Sequence, residues 1–259
     1  MTGTTANRRR WLGVAGASLG ALWLSACDKL TTDPKFAGML RKAEGWTMRA
    51  QRLVTDRKAL AREFTPADLS TDFKANGTLR PTDEDYVALL AGGFADYRLI
   101  IDGLVERPLA LTLAALRVQP ARTQITRHDC VEGWSSIGKW TGARLGPLLD
   151  RAGLKPNARY IVFHCADTLE QTLDGSGKYY ESIDLIDAYH PQTILAYEMN
   201  DATLPVRHGA PVRLRVERQL GYKHAKYVMR IEAVETLTDL GRGQGGFWPD
   251  RGYEWYAGI

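Results

Sequence analysis

From residue 97 onward the chain breaks into short runs rich in β-branched and aromatic residues, separated by turn formers. Such runs predict strands at 98–102, 124–127, 160–164, 193–197, 212–216 and 227–234. Helical spacing of apolar positions falls between them at 112–117, 144–152 and 184–189. Strands and short helices mixed without a regular βαβ rhythm predict an α+β fold rather than a doubly wound α/β one. The text before residue 97 differs. Asp33-Pro34 reads as an N-cap with proline at the first helical position. Two charged, amphipathic helical stretches are predicted to follow, to about Phe64. Pro66, Asn76-Gly77 and Pro81 mark 65–81 as loop, and 83–90 carries one more helical pattern. The tail from Gly241, rich in Gly, Trp and Tyr, is expected to wrap the domain surface. The expected division is a leader at 1–26, a helical and loop extension at 27–96, a main domain at 97–240 and the tail at 241–259.

Composition adds little to this until the N-terminus is considered. Of 259 residues, 25% are charged and 44% hydrophobic, ordinary for a folded domain large enough to bury a core. The formal charge of +4 includes Arg8, Arg9 and Arg10. Without them basic and acidic side chains nearly balance, so nothing calls for nucleic acid, whose binding rests on phosphate neutralisation. The apolar run 11–26 is shorter than the roughly 20 residues a membrane-spanning helix needs. A basic start, a short apolar middle and a small-residue end describe a secretory signal. Arg8-Arg9-Arg10-Trp11-Leu12 resembles a twin-arginine signal, and Leu24-Ser25-Ala26-Cys27 resembles a lipobox. The alternatives are a plain signal peptide and an uncleaved anchor. The expected location is periplasmic, with lipid anchoring to the inner membrane through Cys27. Export in the folded state also favours a protein that folds around a complex cofactor.

Two further cysteines remain, Cys130 and Cys165. In an exported protein they could form a disulfide or be two buried thiols. No zinc spacing is present. The surrounding text is more specific. Arg127-His128-Asp129-Cys130-Val131-Glu132-Gly133-Trp134-Ser135 resembles the cysteine loop of the sulfite-oxidase family of molybdenum enzymes. Ala196-Tyr197-Glu198-Met199-Asn200, Leu204-Pro205, His208-Gly209-Ala210-Pro211-Val212-Arg213 and Gly221-Tyr222-Lys223-His224-Ala225-Lys226-Tyr227 follow that family's pattern in the same order. The resemblance covers about 97–235. It implies a sulfite-oxidase-type fold of mixed β-sheets with short helices, and a molybdenum–molybdopterin cofactor. It makes Cys130 the metal ligand, a role suited to a soft thiolate, and therefore implies no Cys130–Cys165 disulfide. It places His208, Arg213, His224, Ala225 and Lys226 around the pterin, with Cys165 and Asn76 as further contacts. Taken singly, Arg213 and Lys226 read as solvated surface charges, and Cys165 as a structural thiol.

By the same resemblance, Lys178-Tyr179-Tyr180-Glu181-Ser182-Ile183 is the loop that brings a tyrosine, Tyr179, to the metal. Glu132, two residues after the ligand, is a candidate for tuning the metal or moving protons, or an ordinary loop glutamate. Sulfite oxidases place an arginine just after the ligand, to hold an anion. Here Val131-Glu132-Gly133-Trp134 follows, which looks like the protein-methionine-sulfoxide reductase branch of the family. Oxygen-atom transfer from an S-oxide or similar compound, free or protein-bound, is therefore the expected activity. Sulfite oxidation, with Arg251 supplying one cation, is the alternative. A non-catalytic lipoprotein binding module and a disulfide-bonded structural lipoprotein are the rivals from other classes. The chain has no Cys-x-x-Cys-His for haem attachment. Electrons are expected from a membrane haem subunit or a periplasmic cytochrome. Only about twenty residues follow the matched blocks, so a monomeric catalytic subunit is expected. Gly241-Arg242-Gly243-Gln244-Gly245-Gly246 spells the dinucleotide fingerprint. No βαβ unit surrounds it, which leaves a glycine-rich turn.

Overall fold

The computed structural model describes residues 34–173, 175 and 177–259. The expected signal segment and Cys27 lie outside the described residues. The chain divides into two compact units, Met1–Val54 and Thr55–Ile259. In the first, the described part is one helix, α1 (Pro34–Val54). No helix among the described residues is long and apolar enough to cross a membrane. The second helical stretch expected before Phe64 does not form. Instead Lys58 N–H donates to Asp56 Oδ1 at 2.8 Å, closing a turn. The chain then runs extended against the domain. Ala61 N–H donates to Gln192 Oε1 at 2.8 Å and Phe64 N–H to the Ile125 carbonyl at 2.9 Å. A helix there would forfeit these pairings, and buried backbone groups must be paired.

The second unit carries strands β1 (Leu99–Gly103), β2 (Leu109–Leu111), β3 (Ala121–Asp129), β4 (Ser135–Arg144), β5 (Tyr160–Thr168), β6 (Lys178–Asp184), β7 (Ile194–Met199), β8 (Ala202–Thr203), β9 (Arg213–Arg215) and β10 (Val228–Val234). Its short helices are α2 (Glu84–Ala91), α3 (Leu113–Arg117), α4 (Leu145–Ala152) and α5 (Leu185–Ala188). Asp83, Thr112 and Asp184 cap α2, α3 and α5 through side-chain oxygens. One sheet has the order β2-β1-β10-β5-β6, and the other β3-β4-β7-β8 with β9 on β7. Only β1 and β10 among these neighbours run parallel. The result is the expected α+β architecture of mixed sheets and short helices.

The main core draws Leu99, Ile101, Ile161, Phe163 and Ile231 from the first sheet and Ala143, Leu195, Tyr197 and Leu214 from the second. The inward positions of β3 are polar, namely Gln124, Thr126 and His128. They meet Arg215 and Glu217, a fully buried ion pair with Nη2 and Oε2 2.6 Å apart. On β4 the inward residues include Trp140, whose ring lies under both Arg215 and Arg213. Gly142 sits where β4 bulges against β7. A Cβ there would come within 2.3 Å of the Leu195 carbonyl oxygen, so the sheets close only on glycine.

Residues 178–183, expected as a loop, form β6. Alternation on that strand sends Tyr179 and Tyr180 to different partners. The tail is also more than a surface wrap. Phe247 is buried in the main core, and Gly246 bridges to Glu181.

Candidate active site

Cys130 sits at the tip of the β3–β4 hairpin. Its N–H donates to the Trp134 carbonyl at 2.9 Å, and Gly133 N–H donates back to the Cys130 carbonyl at 2.9 Å. Gly133 adopts φ +87°, a conformation open to glycine at little cost. The turn holds the thiol inward, and Cys130 is 7% exposed. Asn76 Nδ2 points at Sγ from 3.5 Å. The loop bearing Asn76 is pinned by Lys226, whose Nζ donates to the Asn76 carbonyl at 2.7 Å and to the Thr78 carbonyl. Tyr227 Oη also donates to the Thr78 carbonyl, at 2.7 Å.

Seven of the ten sequence-selected residues line one cavity of about 180 Å³: Asn76, Cys130, Glu132, Tyr179, Arg213, His224 and Lys226. Arg213, at the start of β9, is buried and lies over Trp140. Its Nη1 and Nη2 donate to the His208 and His224 carbonyls at 3.0 and 3.3 Å. Its Nε has no partner. Burial, with Arg215 nearby, pulls its pKa down to about 9, which expresses a demand for negative charge at this point. Burial also lowers Lys226 to about 7. His224 Nε2 meets the Gln219 carbonyl at 3.0 Å, and burial keeps the ring neutral. That leaves Nδ1 as an unpartnered acceptor.

Tyr179 Oη donates to the Tyr222 carbonyl. Burial pushes its phenol well up, so it stays protonated. Tyr180 turns instead to Asp250, Oη to Oδ2 at 2.6 Å. Glu132 is exposed at the rim and accepts from Trp134 Nε1 at 2.9 Å.

Three candidates do not line this cavity. Cys165 borders a second cavity, of about 330 Å³, which shares Tyr179. Both cysteines are free thiols, Cys130 on the hairpin of one sheet and Cys165 in β5 of the other. Ala225 is packed in the core, and its carbonyl accepts from Leu214 N–H at 2.8 Å. The ring of His208 packs edge-on against Phe73, and its carbonyl steadies Arg213. Arg251, the suggested anion-binding cation, is tied to Glu170 at 2.5 Å and lies over Phe247, and it does not itself line the cavity.

Burial, then Arg213, pull His208 down to about 4. Unfolded, it titrates near 6.5. As pH falls from 6.5 towards 4, the unfolded chain takes up a proton that the native state refuses. Stability present above pH 6.5 is lost across that window, by up to about 1.4 kcal/mol per pH unit. Urea midpoints of wild type and His208→Gln at pH 7 and pH 5 should show a shallower fall in the variant. Identical falls would contradict this.

Sequence reasoning missed several wall residues. Asp167, two residues beyond Cys165 on β5, is buried on the cavity with Oδ1 unpartnered, and burial raises its pKa to about 6. Leu169, Tyr222, Trp248 and Tyr253 also line the cavity. For the last two, the only sequence signal is the aromatic content of the tail.

These atoms allow a test of fit. Three residues that line one cavity each carry an unpartnered buried atom: a donor on Arg213, and acceptors on His224 and Asp167. Natural interiors seldom leave such groups unpaired. A pterin edge, with its donors, acceptors and terminal phosphate, supplies all three. Among the described residues no group of three or more His, Cys, Asp or Glu side chains could hold a metal ion. A metal held through Cys130 would therefore need its other ligands from the group that carries it, as a dithiolene pterin could provide. The residues present fit the group.

Comparison with known proteins agrees. The family described as oxidoreductase molybdopterin binding domain matches residues 89–239. A putative protein-methionine-sulfoxide reductase subunit of Azospira oryzae is 41% identical over 164 residues, 63% of this chain and 56% of that protein. The protein-methionine-sulfoxide reductase catalytic subunit of Campylobacter jejuni is 30% identical over 181 residues, 66% of this chain and 60% of that protein. The chain thus spans less than two thirds of the length of these relatives. The crystal structure of the sulfane dehydrogenase SoxCD from Paracoccus pantotrophus is similar at a TM-score of 0.48 and 26% identity, over 55% of this chain and 39% of that one. With Cys130, Arg213, His224 and Lys226 all inside a match that spans more than half its length, the chain belongs to the family of oxidoreductase molybdopterin-binding domains.

Proposed function

We propose that this chain is the catalytic part of an exported oxidoreductase that reduces an S-oxide to the sulfide by oxygen-atom transfer. The observation that carries this is a buried thiol, Cys130, sharing one cavity with unpartnered polar atoms of Arg213, His224 and Asp167. Cys130 would be the metal ligand. Asn76, Arg213, His224 and Lys226 would hold the pterin, and Asp167 would accept from it. Bound there, the molybdenum–pterin group supplies two-electron chemistry coupled to movement of an oxygen atom.

The side chains of this protein do the rest. Tyr179, kept protonated by burial, can offer its hydroxyl to a substrate oxygen once it releases the Tyr222 carbonyl. Glu132, exposed beside the thiol, is placed to pass protons from solvent. Reduction consumes two protons and two electrons and yields sulfide and water. The electrons come from outside the chain, and a membrane haem subunit or a periplasmic cytochrome is the proposed donor. Sulfite oxidation is the weaker reading. Glu132 at the rim, with no arginine following Cys130, repels a dianion.

Protein from a molybdopterin-making host tests the assignment. It should carry near-stoichiometric molybdenum and reduce dimethyl sulfoxide with reduced viologen, without oxidising sulfite. Folded, metal-free protein from such a host would overturn it. The same proposal includes a monomer anchored by lipid at Cys27. Labelled palmitate should enter the wild type and not Cys27→Ser, and equal labelling of the two would refute the anchor.

A further inference from the structure

Five aromatic rings run from the cavity wall into the tail. Tyr179 and Phe247 have centroids 5.6 Å apart, and Phe247 and Trp248 5.3 Å. Trp248 and Tyr253 stack at 5.1 Å, and Tyr253 meets Tyr222 edge-on at 5.4 Å. All but Phe247 line the cavity. Exposure peaks at Tyr253. Tyr179 and Phe247 are buried, Trp248 and Tyr222 are half-buried, and Tyr253 is 38% exposed. Val131, on the same cavity, is 48% exposed. The floor of the cavity is therefore polar, and the mouth is largely apolar and aromatic with Glu132 as a charged group on its rim. Trp248 and Tyr253 also lie beyond residue 239, where the family match ends. A segment outside the shared domain builds the mouth.

That segment is fixed in place. Arg251 pairs with Glu170, the neighbour of Leu169 on the cavity wall. Its Nη1 donates to the Phe247 carbonyl at 2.8 Å. Asp250 accepts from Tyr180 Oη at 2.6 Å and from the Arg242 and Gln244 N–H groups at 2.9 Å. Gly252, at φ +96°, turns the chain so that Tyr253 folds back, its N–H donating to the Trp248 carbonyl at 3.1 Å. A stacked aromatic pair held open beside a buried thiol is the kind of apolar surface that marks a binding site.

We propose that tail residues 248–253 are the substrate-selecting wall of this enzyme. They receive the S-oxidised thioether side chain of a polypeptide in preference to a small free S-oxide. The methyl and methylene groups beside the sulfur pack on aromatic faces, and exposed Tyr253 and Val131 give the flanking polypeptide an apolar surface to lie on. This inference rests on the S-oxide reading above.

The test compares holoenzyme of wild type, Trp248→Ala, Tyr253→Ala and Trp248→Phe. The substrates are hydrogen-peroxide-oxidised unfolded casein and dimethyl sulfoxide. Removing one aromatic wall should raise KM for the casein about five- to tenfold, the scale of a lost sulfur–aromatic contact. KM for dimethyl sulfoxide, which has no flanking polypeptide to lie on Tyr253 and Val131, should rise by a clearly smaller factor, and Trp248→Phe should restore most of the casein loss. A methionine-sulfone peptide, which cannot be reduced, gives a readout independent of turnover. Trp248→Ala should weaken its calorimetric Kd by the same factor. An unchanged Kd or casein KM, or equal losses on both substrates, overturns the wall alone. A wild-type holoenzyme that reduces neither substrate overturns the S-oxide reading itself.

Discussion

Cys130→Ser is expected to abolish S-oxide reduction and to empty the protein of molybdenum while leaving it folded. The hairpin turn that carries residue 130 is closed by backbone bonds, from Cys130 N–H to Trp134 and from Gly133 N–H to Cys130. Serine keeps both. What changes is the donor atom. A soft thiolate suits a metal already bound by sulfur, and a hydroxyl does not. Changing a residue that only supports a ligand typically costs about 10–100-fold in affinity or activity, so loss of the ligand itself should cost more than about a hundredfold. Metal analysis, turnover with reduced viologen and the thermal midpoint together decide the point. Retained molybdenum with turnover near wild type would remove Cys130 from the metal and with it the proposed mechanism. Loss of fold would instead identify the thiol as a packing group.

Glu217→Gln is expected to cost about 3–5 kcal/mol of stability, the usual consequence of breaking a fully buried ion pair from one side. Both side chains are fully buried. Glu217 Oε1 accepts from Arg215 Nε at 2.8 Å and from Gln124 Nε2 at 2.8 Å, and Oε2 from Arg215 Nη2. Nothing else charged pairs with Arg215 among the described residues. Its Nη1 meets His128 Nδ1 at 3.0 Å, and its guanidinium lies over Trp140. Glutamine keeps the shape and leaves the cation uncompensated. The double variant Arg215→Met, Glu217→Leu should cost less than the single one, because it removes both charges together. Urea unfolding of the three proteins checks this, and a single variant within about 1 kcal/mol of wild type would refute it. The effect should also reach the site, since the His128 ring packs edge-on at 5.0 Å against His224, a cavity residue.

How much of this could be read from the chain varies by element. Helices α2, α3 and α5 were legible from the spacing of their apolar positions, and each starts at a residue, Asp83, Thr112 or Asp184, whose side-chain oxygen caps it locally. The strands at β1, β5, β7 and β10 were legible from their β-branched runs. β4 was not. Its text, Ser135-Ser136-Ile137-Gly138-Lys139-Trp140-Thr141-Gly142, reads as turn. Its glycines are set by neighbours on other elements, the Phe73 ring at Gly138 and the Leu195 carbonyl at Gly142. β6 was obscured by its buried Glu181, which only Lys223, forty-two residues on, makes tolerable. The extension after α1 carried helical periodicity. Its backbone bonds to β3 and Gln192 overrode that preference.

By itself, the sequence determined the fold class, the family and a set of ten candidate residues, because these are written in local pattern and in motif blocks with fixed order. Tertiary structure alone decided which side chains face one cavity. It directed Arg251 to Glu170, Ala225 to the core and Cys165 to a second cavity, and it brought in Asp167, Trp248 and Tyr253. Those assignments depend on which buried atoms remain unpaired once the sheets have closed. That balance is settled by partners distant along the chain, which no local pattern records.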